Sequence, residues 1–136
     1  MTRKLLIVTA SAETGIGVLL LFAPSPIARL LLGAALNGPA AEIVGRIAGA
    51  ALLSLGGACW LARDDRSSRA LRGLVAAMLL YNTAAIAVLF YAGAGLKLVG
   101  VLLWPAAVLH AALAVWCVAC LRSGPLAQRR EIALVE

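Results

Sequence analysis

Apolar residues run along the chain in four long stretches, 5–23, 43–62, 71–92 and 98–121, and polar residues collect between them. About 20 consecutive apolar residues cross a bilayer as a helix, so each stretch predicts one spanning helix. The gaps hold residues that interrupt helices: PSP at 24–26, NGP at 37–39, RDDRSSR at 63–69, AGAG at 92–95 and SGP at 123–125. Even the shortest gap can join antiparallel neighbours. The first gap, PSPIARLLLGAALNGP, is too apolar for a plain linker and too short to span. It predicts an interfacial helix over 27–36, with Arg29 at the headgroups. Residues 122–136 read as a tail, with a short helix from Pro125. No internal repeat is evident. The expected fold is therefore all-α, one domain over 1–136, an integral membrane bundle of four antiparallel helices.

Composition agrees with this pattern. The 136 residues are 63% hydrophobic and 13% charged, with a mean hydropathy of +1.00, against about 45–50% apolar and about 25% charged in an ordinary soluble domain. Such a chain has too little polar surface to cover a water-facing fold, so lipid is the expected partner. The net charge of +6 does not indicate nucleic acid, because the basic residues fall in the gaps between apolar runs rather than on one face. They act instead as topology signals. Arg3, Lys4, Arg63, Arg66, Arg69, Arg72, Arg122, Arg129 and Arg130 lie on one side, and Arg29, Arg46 and Lys97 on the other. Nine against three places both termini and the middle loop in the cytoplasm, in a multi-pass protein of the cell inner membrane.

Glu13 interrupts the first apolar stretch. A signal-peptide border after Ala10-Ser11-Ala12 would explain an acid there, but the apolar core before it falls short of the usual length of roughly 7–15 residues, and hydrophobicity resumes through Gly17–Phe22. We expect no cleavage, and Glu13 near mid-bilayer. An ionisable group at that depth costs about 2.5–3.5 kcal/mol on insertion scales, so it should face the bundle interior and find a partner. Thr9, Glu13 and Gly17 share one stripe at helical spacing, with Ser11 and Thr14 on another face. Tyr81 and Asn82 sit at the centre of the third stretch and His110 near that of the fourth. The four groups should thus meet at similar depth, either to bind a proton or small ligand or to fix packing by hydrogen bonds among themselves.

Arg46 opens the second stretch near the outer surface. Its side chain tends to point back toward its helix N-terminus, away from Glu13, and can reach lipid phosphate, Glu42 or the first loop, or face an anion beneath the interfacial segment. Gly45, Gly49, Gly56 and Trp60 cluster on one face of the same helix, a small-residue seam suited to a close helix partner, internal or in a second subunit. Cys59, Cys117 and Cys120 fall near the cytoplasmic helix ends. Three thiols make an incomplete zinc set, and the reading preferred is small apolar packing over metal or redox use. Trp104-Pro105 reads as an interfacial anchor beside a kink or a late helix start.

No Walker loop, dinucleotide fingerprint, HExxH or serine-nucleophile motif is present, nor is a cofactor indicated. A non-enzymatic role follows as the expectation. The stretch ETGIGVLLLFAPSPIARLLLG followed by EIVGRIAGAALLSLG, with Gly15, Gly17, Pro24, Arg46 and Gly49, resembles small four-helix bacterial membrane proteins of the DoxX-like type. That resemblance, over the first half of the chain, implies a four-helix membrane fold and, for some members, a membrane subunit of a quinone-linked redox system. The function expected is a homo-oligomer or accessory subunit of a membrane complex with a polar interior, the alternatives being a proton or small-solute carrier component and that redox subunit.

Overall fold

The computed structural model of the chain describes residues 1–65 and 68–133, with 124–133 described by backbone alone. Arg66 of the charge pattern and the end of the tail lie outside the described residues. The described residues form helices joined by short non-helical segments: α1 (Thr2–Phe22), α2 (Pro24–Leu32), α3 (Pro39–Ala62), α4 (Arg69–Phe90, extended by a π-helical turn over Tyr91–Gly95) and α5 (Leu103–Ala133). Four of these are long and apolar enough to cross a membrane.

Helix α1 packs on α3, α4 packs on α5, and the two pairs meet partly through α1 and α5. Glycine sets the first pairing. A Cβ on Gly49 would lie 2.7 Å from the Gly17 carbonyl oxygen, and one on Gly17 would lie 2.9 Å from the Gly49 oxygen, so the two backbones touch. Further along, Gly56 faces Thr14 and Ala10, and Gly45 faces Pro24. Residue numbers rise on one helix as they fall on the other, which makes the pair antiparallel. The partner of the glycine seam is thus internal. Trp60 does not belong to that seam: it is 49% exposed, and the Arg63 guanidinium lies 4.1 Å over its ring.

Arg3 Nε lies 3.0 Å from Asp64 Oδ1, tying the start of α1 to the end of α3. Both side chains are exposed, so the pair contributes at most about 1 kcal/mol. Ser68 caps α4 by accepting from the Leu71 N–H at 3.0 Å and donating to Asp65. Next to this end lies the closed core: Leu5, Leu6, Ala10, Cys59, Val75, Met78, Leu113 and Cys117 are all nearly inaccessible.

Several boundaries differ from the sequence pattern, each for a local reason. The first-gap helix starts at Pro24 rather than at 27 and stops at Leu32 rather than at 36. Proline fits the first helical turn, where its missing N–H is not needed, and Gly33 at φ +74° ends the helix, its N–H donating to the Arg29 carbonyl. The last long helix begins at Leu103, not at 98. Lys97 at φ +58° turns the chain out of α4's last turn, and the following non-helical residues bond to α2 instead. Gly100 N donates to Leu31 O at 3.1 Å, and Leu102 N to Leu30 O at 3.0 Å. These bonds satisfy carbonyls that the end of α2 would otherwise leave open. Trp104-Pro105 thus marks a late helix start, with Trp104 edge-on to Phe90 at 5.8 Å. At the far end α5 passes through 123–125 without a break and reaches Ala133, so no separate tail helix forms. The Ser123 hydroxyl bonds back to the Ala119 carbonyl at 2.7 Å, following the helix rather than capping a new one.

Candidate functional site

The closed core fills one half of the bundle, and the other half holds a cleft of about 900 Å³. Helix α2, through Pro24, Ile27 and Leu31, forms part of its lining, and the walls are almost wholly apolar. Glu13, Tyr81 and His110 supply its polar end. They stand one helical turn from the core residues Ala10, Met78 and Leu113, at the level where the closed half gives way to the open one.

Glu13 is only 3% exposed and Asn82 is fully buried. Helix packing explains the burial of Glu13, since it lies one turn before Gly17, where α1 and α3 touch. The Tyr81 hydroxyl donates to Glu13 Oε2 at 3.4 Å, a long and therefore weak bond. The Tyr81 ring stands edge-on to the His110 imidazole, with centroids 5.6 Å apart. His110 Nδ1 lies 2.8 Å from Asn82 Oδ1. Asn82 Nδ2 in turn donates to the Met78 carbonyl at 2.8 Å, one turn back on its own helix. The polar groups form a chain, Glu13 to Tyr81 to His110 to Asn82, carried by α1, α4 and α5.

The sequence places the same four residues at one depth, but their pairing is visible only in three dimensions. Tyr81, and not Asn82, reaches the acid. Adjacent positions on α4 diverge by about 100°, so Tyr81 turns toward α1 while Asn82 turns into the contact with α5. Arg46 stands apart from this group. Its Nη1 donates to the Leu21 carbonyl at 2.7 Å, closing the C-terminal end of α1, and it forms neither an ion pair with Glu42 nor one with Glu13 among the described residues. Ser11 bonds back to the Ile7 carbonyl at 3.0 Å, as its position on a second face suggests.

Cys59 and Cys117 are fully buried in the closed core and Cys120 is half-buried. Cys59 Sγ sits 3.5 Å from Met78 Sδ, a contact of soft sulfur atoms inside an apolar cluster. Among the described residues no group of three or more His, Cys, Asp or Glu side chains is arranged to hold a metal.

Thr9 completes the buried stripe of α1, fully inaccessible and with its hydroxyl oxygen unpartnered. An unpaired buried hydroxyl costs stability, whereas an apolar group of the same shape does not. Thr9→Val is accordingly expected to stabilise the fold by about 1 kcal/mol, read as a higher melting temperature of the purified protein. A lower melting temperature would show that the hydroxyl has a partner. The cleft is barely marked in the sequence, because its volume arises from how far apart the helices around it stand. Ala106, Ala85 and Ala48, small residues along its walls, are the trace it leaves. In comparison with known proteins, no family model, no curated protein and no solved structure matches the chain.

Proposed function

We propose that this chain is a multi-pass membrane protein that holds a lipophilic small molecule in the cleft, with the polar end of that molecule at Glu13, Tyr81 and His110. The observation that carries the reading is the cleft's form: about 900 Å³ of apolar walls closing on one polar cluster. Ligand pockets typically combine such walls with a few polar groups that fix orientation. A cluster used for packing alone needs no adjoining volume.

The four long apolar helices support membrane insertion, and large exposed side chains such as Ile47, Leu61, Leu80, Val108 and Val115 give lipid a surface to cover. The same faces would serve a homo-oligomer or a larger complex. Both termini on the cytoplasmic side of the inner membrane is the orientation that the nine-to-three distribution of Lys and Arg favours. The role is binding rather than turnover, and the chain is a DoxX-like protein in this reading, with the cleft in the open half of the bundle as its working part.

Filling the cleft tests the reading. Native mass spectrometry of the protein in mild detergent is expected to show a retained small molecule, and Ala106→Trp, which places an indole among the wall residues, is expected to reduce retention at least about tenfold. That factor corresponds to about 1.4 kcal/mol. A wild-type protein that retains nothing, together with an Ala106→Trp variant of higher melting temperature, would assign the cluster to packing.

A further inference from the structure

The hydrogen bonds already made inside the cluster specify what it can still offer. Asn82 has its amide committed to the Met78 carbonyl, which turns Oδ1 toward His110 Nδ1 at 2.8 Å. Oδ1 only accepts, so the network assigns the imidazole proton to Nδ1 and leaves Nε2 as a lone pair. His110 lines the cleft, and its one hydrogen bond among the described residues is made through Nδ1, leaving Nε2 without a partner in the protein. The Tyr81 proton is directed to Glu13, leaving the phenolic oxygen as an acceptor. Ser11 spends its proton on its own helix. The cleft therefore ends in acceptors.

Charge points the same way. Glu13 is the one acid along the cleft, and no Lys or Arg lines it among the described residues. Three basic groups are engaged elsewhere, Arg46 at the Leu21 carbonyl and Arg3 and Arg63 at Asp64. The carboxyl group of Glu13, a residue only 3% exposed, makes one hydrogen bond, 3.4 Å long, and no ion pair among the described residues. A carboxyl group so placed holds a charge only when a cation pairs with it.

The geometry points to a lipophilic amine as the occupant, its protonated nitrogen donating to Glu13 and to His110 Nε2 and its apolar body lying along the walls toward α2. The proposal rests on the cleft being a ligand site and names the class of ligand. An ammonium group supplies both the donors and the positive charge that the site lacks. A neutral carbonyl compound, such as a quinone, brings further acceptors to a site already made of them.

The test uses four probes of one chain length, dodecylamine, dodecanol, dodecanoate and dodecyltrimethylammonium, and a decyl-substituted benzoquinone. Each competes for the purified full-length protein in lipid nanodiscs against tritiated dodecylamine. The amine is expected to bind at least about tenfold more tightly than the alcohol, with dodecanoate weakest. The trimethylammonium probe should fall between amine and alcohol, since it carries the charge without an N–H. Glu13→Gln should lower amine affinity about thirtyfold or more while leaving the alcohol within about threefold, as for one side of a buried charge pair. His110→Ala should lower it less. Equal affinity across the series, or tightest binding of the quinone, overturns the amine assignment and leaves the ligand site standing. If no probe binds and Ala106→Trp changes nothing, the ligand site itself fails. The series on the wild-type protein decides the matter even if Glu13→Gln does not fold.

Discussion

Gly49→Leu is expected to abolish the folded monomer, and Gly49→Ala to cost about 1–3 kcal/mol, the usual range for overpacking a tight contact. The reason lies in what the new side chain would strike. A Cβ at residue 49 meets Gly17 O at 2.7 Å, Leu21 N at 2.7 Å and Leu20 C at 3.1 Å, all of them backbone atoms of α1. Backbone cannot rotate away as a flexible side chain can, so the helices must separate. Separation lengthens the whole α1–α3 contact, including the Arg46 bond to Leu21 that stands one turn further along. Helix association in a bilayer depends on such close packing, because lipid tails are as apolar as the helix surfaces themselves. Gly57, one residue beyond the seam, supplies the control: a Cβ there meets nothing within 4 Å. Gly57→Ala should melt at or above the wild-type temperature, since alanine favours helix by up to about 1 kcal/mol over glycine. Thermal melting in detergent, followed by circular dichroism, measures all three variants. Equal melting of the Gly49 and Gly57 alanine variants would refute the seam.

The second large effect is expected at Gly100. A Cβ there would lie 2.2 Å from the Leu30 carbonyl oxygen and 2.6 Å from its carbon, distances that no side chain tolerates. Gly100→Ala must therefore push the segment before α5 off α2 and break both bonds that join them, from Gly100 N to Leu31 O and from Leu102 N to Leu30 O. Two lost backbone bonds with their carbonyls left open amount to about 2–3 kcal/mol. The loss should be local. Hydrogen–deuterium exchange is expected to accelerate over residues 24–36 and 97–102 while 69–90 stays protected, and any small molecule retained in the cleft should be lost with the α2 wall. Unchanged protection over 24–36 would show that α2 is held by side-chain packing alone.

The four long helices were legible because hydropathy reports side chains, and in these helices side chains decide the outcome. Where the backbone decides, the pattern misleads. LKLVGVLLW is as apolar as its surroundings, yet the chain leaves the helix there, because the N–H groups of Gly100 and Leu102 have a better use against α2. Pro24 and Pro26 read as breaks, although a proline in a first turn is also a start. The polar cluster was legible as a set, since Glu13, Tyr81, Asn82 and His110 lie at matching depths along their helices. Its connections were not, because they depend on how α4 is rotated. Arg46 illustrates the limit from the other side: the direction of its side chain was readable, but its acceptor is a main-chain carbonyl on another helix, which no residue type announces.

The fastening of α2 to the segment before α5 also bears on how the protein is made. Residues 24–32 leave the ribosome long before residues 97–102, so the carbonyls of Leu30 and Leu31 have no partner while α1 and α3 pair and α4 is synthesised. The first hairpin can close early on its glycines, whereas the last-turn carbonyls of α2 find their partners only once Gly100 and Leu102 have been made. Chains arrested before Gly100 should expose the apolar face of α2 to whatever membrane or chaperone surface lies nearest. A structure begun by α1 and α3 is thus completed by a segment made much later.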